Sequence, residues 1–284
     1  MRNIGLVLSG GMAKGAYQIG ALRAINEIFK PSDFSYVSAA SVGALNSYVY
    51  LTNDLDKGFE LWNSINNTNS RVWVTGMLRS SFLQNSIKTI ISDAEIKNLF
   101  YVPLLNLKKR TLSYIEIGKE APEHIEAYLR AGVAMPIYNS AVHINGENYY
   151  DGALIDNIPI HPLLKHSIDY IICIYFDSYN YTFESEYLNN KIIKLNFPDN
   201  KIVSSSISFK RESIKHMAEE GYSRAKRILN YIFANGKEDV ESIYARIVDL
   251  NAMNTNRHLR ITGDLAVSNM NKVAKRLMKR QVLL

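Results

Sequence analysis

Apolar residues in the first fifty positions fall into two short runs, each followed by small residues and then by a helical period. "IGLVL" (4–8) is an unbroken apolar run that stops at Ser9-Gly10-Gly11, the pattern of a buried strand in a parallel sheet. From Gly15 to Phe29 the positions Tyr17, Ile19, Ala21, Leu22, Ile25, Ile28 and Phe29 recur at helical spacing, and Pro31 ends that helix. "FSYVSAA" (34–40) predicts a second strand running to Ser41, with a helix through Ala44, Leu45 and Tyr48. Strand, loop and helix twice in succession predict an α/β protein with a parallel sheet.

Further along, residues 54 to 100 read as mostly helical, with turns at "NNTNS" and "VTGM". "TLSYIEIG" predicts a strand, and "PEHIEAYLRAG" a helix opened by Pro122 and closed by Gly132. Asn145-Gly146 between alternating runs predicts a β-hairpin leading into "YYDGALIDNIP" (149–159). "DYIICIYF" and "KIIKLNF" are further strands, and from about Ser208 to the end the chain reads as helical. Without repeats, low-complexity segments or a linker, residues 1–284 are expected to form one domain.

Composition narrows the class. The 284 residues are 47% hydrophobic and 21% charged, as in an ordinary globular protein. Cys173 is the single cysteine, so an internal disulfide and a thiolate zinc cluster are both excluded. The apolar start, Ile4 to Leu8, is too short for a signal peptide. No run approaches the ~20 apolar residues that span a bilayer. The expectation is therefore a soluble protein, cytoplasmic or peripheral at a membrane. The net charge of +6 fits solubility, or attraction to an anionic surface such as lipid headgroups, and no nucleic-acid partner is expected.

Three local features carry the chemistry. In "SGGMAKG" (9–15), glycines between strand and helix leave backbone N–H groups open to negative charge, either phosphate or the oxyanion of an acyl-transfer transition state. The loop lacks the G-K-[ST] ending of a Walker A motif, and Met12 breaks the dinucleotide pattern. Ala39-Ala40-Ser41-Val42-Gly43 is a small-residue strand-to-helix turn, which is either a nucleophile elbow or a plain turn. Asp151-Gly152 follows a strand, either as a hairpin turn or as a carboxylate base for Ser41. His161, His166, His216 and His258 follow Asp151 in the order of a Ser-acid-His triad, but none sits in a motif.

Taken together, these segments resemble the patatin-like phospholipases, whose pattern is G-G-G-x-[KR]-G, then G-x-S-x-G, then D-G-[GA]. The flanks "KGAYQIGALRAI", "GALNS", "AGVAMPIY" and "NIP" extend the resemblance over roughly residues 4 to 175. Two positions depart: Met12 stands for the third loop glycine and Ala39 for the first elbow glycine. The resemblance implies a three-layer α/β/α patatin-like fold with a mostly parallel central sheet. It implies a lipid acyl hydrolase for phospholipids or lysophospholipids, without metal or cofactor. Ser41 would be the nucleophile and Asp151 the proton acceptor, with Gly10, Gly11 and Met12 forming the oxyanion hole. Lys14, Gly15, Gly43 and Gly152 would support them, and Asn157 and Pro159 would shape the chain after Asp151. A thioesterase or acyltransferase on the same dyad is the alternative enzyme, and a catalytically weak lipid- or anion-binding module the alternative non-enzyme. Residues 59 to 83, with Phe59, Leu61, Trp62, Val72, Trp73, Val74, Met77, Leu78 and Phe82, are either an acyl channel or core. The basic C-terminal stretch "NKVAKRLMKRQVLL" is either a membrane-docking helix or a solvated one.

Overall fold

The structure is a computed structural model that describes residues 2–64, 82–136, 138–177, 180–183, 185–197, 211–253 and 256–259. The predicted first unit is β1 (Ile4–Leu8), a 3-10 turn (Met12–Lys14) and α1 (Gly15–Asn26); the second is β2 (Phe34–Ala39) and α2 (Val42–Leu51). There follow α3 (Leu55–Ser64), α4 (Phe82–Ile90), β3 (Leu99–Asn106), β4 (Thr111–Glu116) and α5 (Pro122–Gly132). The hairpin is β5 (Val142–Ile144) with β6 (Glu147–Asp151), and β7 (Tyr170–Phe176), β8 (Asn180–Phe183), α6 (Glu186–Asn189) and β9 (Ile192–Phe197) come next. The described chain closes with α7 (Arg211–Ile232), α8 (Val240–Ala252) and β10 (Asn256–Leu259).

Eight strands form the main sheet in the order β5-β6-β3-β2-β1-β7-β9, with β4 on β3. Its centre, β3-β2-β1-β7-β9, is parallel, and the β4, β5 and β6 pairings are antiparallel. β1 is covered on both faces and all five of its residues are buried, as a central parallel strand requires. On one face α1, α2 and α7 pack a large core through Leu22, Ile25, Leu45, Tyr48 and Leu229. Gly20 and Gly221 let the α1 and α7 backbones meet: a Cβ on Gly20 would lie 1.9 Å from the Ala218 carbonyl oxygen. The opposite face is covered more thinly. Val7, Ile171, Cys173 and Ile192 lie there under Ile160, Leu163 and Phe183, from the 3-10 turn His161–Lys165 and the small β8-β10 sheet.

The hairpin at Asn145-Gly146 is present, and both residues have positive φ (49° and 81°), which is why Asn and Gly suit it. Two elements differ from the expectation. Residues 54 to 100 are mostly helical where described (55–64 and 82–90), but 91–97 carry no regular element and a strand, β3, begins at Leu99. β3 escaped the pattern because Pro103 lies inside it, and proline demotes a strand reading. Pro103 is tolerated because it falls where β3 passes from β2 (Ser38 opposite Tyr101) to β6 (Asp151 opposite Leu104). Nor is the C-terminal portion all helix: β10 pairs in parallel with β8. The turns at "NNTNS" and "VTGM" and the C-terminal basic stretch lie outside the described residues. Among the described residues no helix is long and apolar enough to cross a membrane.

Candidate active site

Ser41 sits between the end of β2 and the first turn of α2. Its backbone adopts φ 53° and ψ −131°, a region that L-residues occupy at a cost of about 1–3 kcal/mol. The turn is held on both sides. Ala40 N–H donates to the Leu8 carbonyl at 3.0 Å, and Gly43 N–H and Ala44 N–H donate to the carbonyls of Ala40 and Ser41, both at 2.9 Å. A Cβ on Gly43 would lie 2.6 Å from the Ser9 carbonyl oxygen, so only glycine lets the elbow lie against β1. Ser41 heads α2, where the helix dipole favours developing negative charge.

Asp151 ends β6 and is fully buried. Its N–H donates to the Ala134 carbonyl at 2.8 Å, and its Oδ1 accepts from Ala153 N–H at 2.8 Å. Burial pushes its carboxyl up to about 7, while hydrogen bonding from the Ser41 hydroxyl and from Ala153 N–H pulls the other way. Oδ2 is buried with no hydrogen-bond partner of good geometry among the described residues. The Ser41 hydroxyl thus lies near enough to act on the carboxylate without a fully formed bond. β2 and β6 pair with consecutive segments of β3, Leu99 to Tyr101 and Leu104 to Leu105, which is how residues far apart in sequence meet. Gly152 is pressed on β3 between those segments, with its Cβ direction 2.4 Å from the Pro103 carbonyl oxygen.

The glycine loop closes over the pair. A Cβ on Gly10 would lie 2.5 Å from Asn157 Oδ1 and 3.0 Å from Ser41 Cβ. Gly10 N–H donates to the Asn157 carbonyl and Asn157 Nδ2 donates back to the Gly10 carbonyl, each at 3.3 Å. Asn157 therefore does more than shape its own loop, since it ties the Asp151 loop to the glycine loop. It also engages the Gly10 N–H through its own carbonyl. The N–H groups of Gly11 and Met12 have no such backbone partner among the described residues. Met12 has φ 51°, a left-handed conformation that glycine adopts freely. Gly11 packs on Phe176, and the Lys14 ammonium lies 5.3 Å from the same ring.

A buried amide chain holds this loop from beneath, and sequence reading missed it. Gln18 Nε2 donates to the Ser9 carbonyl (2.6 Å). Asn46 Nδ2 donates to the Gly15 carbonyl and to Gln18 Oε1, both at 2.9 Å. Trp62 Nε1 donates to Asn46 Oδ1 (2.9 Å). Gln18, Asn46 and Trp62 are all buried, and Gly15 fits only because its Cβ position, 2.3 Å from the Trp62 ring, is empty. The available signal was a polar residue on the buried stripe of each of two apolar helices. Of the stretch 59 to 83, Leu61 and Trp62 are core, while Val72, Trp73, Val74, Met77 and Leu78 lie outside the described residues.

The histidines lie elsewhere. The His161 ring is 5.7 Å from that of Tyr114, and His161 acts on the buried Asp156. His166 stacks on Tyr36 at 4.2 Å and meets the Tyr101 hydroxyl at 3.2 Å. His216 is exposed beside Glu220, and the side chain of His258 is not among those described. Among the described residues, no group of three or more His, Cys, Asp or Glu side chains is placed to hold a metal ion. Cys173 is buried in β7 and its thiol is pushed up by that burial.

Comparison with known proteins agrees with this architecture. The chain is 27% identical over 191 residues to a lysophospholipase (nte1) of Aspergillus terreus, covering 61% of this chain and 12% of that protein. It is 21% identical over 181 residues to a lysophospholipase (NTE1) of Candida albicans, covering 60% and 13%. It is 22% identical over 178 residues to an uncharacterized NTE family protein of Mycobacterium bovis, covering 60% and 48%. The match thus spans less than half the length of each of these relatives. Among solved structures, VipD from Legionella pneumophila superposes with a TM-score of 0.51 at 12% identity, over 89% of this chain and 75% of that one, a likeness of fold. The patatin-like phospholipase profile matches residues 6–164, and the chain belongs to that family.

Proposed function

We propose that this chain is a lipid acyl hydrolase that cleaves fatty acyl esters of phospholipids or lysophospholipids through Ser41 and Asp151. The observation that carries the reading is a fully buried carboxylate, with a pKa of about 7 and no cationic partner among the described residues, beside a serine held in a strained turn. A base of that pKa is half ionised at neutral pH and is suited to accept a hydroxyl proton. The two fungal relatives, both named lysophospholipases, support the substrate class.

The steps follow from the residues. Ser41 Oγ attacks the ester carbonyl carbon as Asp151 takes the hydroxyl proton. The carbonyl oxygen becomes an oxyanion, stabilised by the N–H groups of Gly11 and Met12; Gly10 is left out because Asn157 holds its N–H. One such donor is worth about 2.7–4 kcal/mol in comparable sites. The C–O bond to the alcohol breaks and Asp151 returns the proton to the leaving oxygen. Water then attacks the acyl-enzyme as Asp151 takes a proton from it, and on collapse Asp151 gives that proton to Ser41 Oγ, which frees the fatty acid and restores the Ser41 hydroxyl and the Asp151 carboxylate. Histidine has no part in this sequence.

The test is fatty-acid release from lysophospholipid and from mixed phospholipid vesicles by wild type, Ser41→Ala and Asp151→Asn. The reading predicts release by wild type and loss of about 10³-fold or more in each variant. Full activity of Asp151→Asn would rule out the dyad.

A further inference from the structure

Asn157 is bonded to Gly10 in both directions, but each bond is long, at 3.3 Å, and Asn157 itself is exposed. Two long bonds at the surface hold a loop weakly. What fixes Asn157 lies one residue before it. Asp156 Oδ1 accepts from the Ile158 N–H at 3.2 Å, so the carboxylate spans the backbone of Asn157 in a tight turn. Asp156 Oδ2 accepts from the Tyr114 hydroxyl at 2.5 Å. The Asp156 N–H donates to the Gly152 carbonyl at 3.0 Å, which ties the same residue to the turn after Asp151.

Tyr114 comes from β4, 42 residues away in sequence, and lies there opposite Pro103 of β3. The Pro103 carbonyl is the group on which Gly152 is pressed. β4, β3 and the segment after Asp151 thus form one frame, and the Tyr114–Asp156 hydrogen bond is its side-chain strut. A carboxylate suits that place because each of its two oxygens accepts a bond, whereas an amide offers one. Burial pushes the Asp156 carboxyl up, and the Tyr114 hydroxyl, the Ile158 N–H and His161 pull it down. Asp156 makes no ion pair among the described residues. Its two donors therefore offset the cost of withdrawing it from water.

The strut reaches the reaction through the glycine loop. The Cβ direction of Gly10 points to Ser41 Cβ at 3.0 Å, and Gly11 and Met12 follow Gly10 directly. A shift of Asn157 therefore moves those N–H groups relative to the Ser41 hydroxyl. We propose that Tyr114 and Asp156 are positioning residues: their hydrogen bond sets Asn157, and through Asn157 holds the glycine loop in register with Ser41. The effect on rate rests on the hydrolase reading above; the effect on the loop does not.

Two measurements on the full chain test this. Hydrogen exchange followed by mass spectrometry reads the loop. Tyr114→Phe and Asp156→Asn are each expected to speed exchange in peptides covering 9–17 at least fivefold, with peptides of β1 and α7 unchanged. Hydrolysis of p-nitrophenyl butyrate reads the reaction. Each variant should lower kcat by about tenfold with KM within about twofold, the mark of an interaction made in the transition state. Asn157→Ala should do the same, and adding Tyr114→Phe to it should lower kcat less than about threefold further, because the two act in series. Single losses that multiply in the double variant would overturn the proposal. So would unchanged loop exchange in both variants, or a faster loop with full kcat. Faster exchange in β1 and α7 as well would assign the pair to folding and also overturn it. A wild type that hydrolyses neither this ester nor lysophospholipid would refute the hydrolase reading, and the exchange data alone would then decide the strut.

Discussion

Replacing Asp151 by asparagine is expected to make the protein more stable, by an amount set by pH. Burial lifts the folded-state carboxyl from its ordinary 3.8 to about 7. Below about pH 4 the group is protonated whether the chain is folded or not, and it contributes no penalty. Between about 4 and 7 the unfolded chain releases the proton while the fold retains it, so wild-type stability falls as pH rises. Above about 7 both states are ionised and the penalty is constant. At about 1.4 kcal/mol per pH unit, the interval from 3.8 to about 7 corresponds to about 4 kcal/mol at pH 8. Asparagine does not ionise, and its Oδ1 still accepts from Ala153 N–H as Asp151 does at 2.8 Å. Asp151→Asn should therefore melt above wild type at pH 8, by up to ~8 °C at about 2 °C per kcal/mol for a chain of this size. The difference should shrink steadily toward pH 4. Calorimetric melts of both proteins from pH 4 to 8.5 measure this directly. A melting difference that does not change with pH, or a less stable variant at pH 8, would refute the reasoning that the site imposes neutrality on this carboxyl.

Three other substitutions separate the parts of the site. Ser41→Gly should gain about 1 kcal/mol over Ser41→Ala in denaturant unfolding, because glycine relieves φ 53° and alanine does not; both should be inactive. Met12→Gly should keep its activity, with stability within about 1 kcal/mol of wild type, because Met12 offers the reaction only its backbone N–H at φ 51°; a large loss of turnover would mean that the side chain contributes. Asn46→Ala should cost about 3 kcal/mol in urea unfolding, because it leaves Trp62 Nε1, Gln18 Oε1 and the Gly15 carbonyl without their buried partners.

Patterns confined to neighbouring residues were legible in the chain. β1, α1, β2 and α2 follow from apolar runs that change period at glycine or at Ser41, and the hairpin from Asn145-Gly146. What depends on partners distant in sequence was not. β3 is hidden by Pro103, whose missing donor matters little only because β2 and β6 meet there. β10 is four residues long and is defined by its pairing with β8. Motif order singles out Ser41 and Asp151, but Asn157 gripping Gly10 and the Gln18–Asn46–Trp62 chain are visible only once the loops are folded. The same holds for Gly10, which a motif reading groups with the oxyanion donors while its N–H points to Asn157.

The most direct test of the central claim is the rate at which a fluorophosphonate labels Ser41, followed by intact mass and peptide mapping as a function of pH. The account predicts a single adduct on Ser41. Its rate should rise with pH to half-maximum near the Asp151 pKa of about 7 and lose that rise in Asp151→Asn. Labelling at another residue, or an unchanged pH profile in Asp151→Asn, would contradict it.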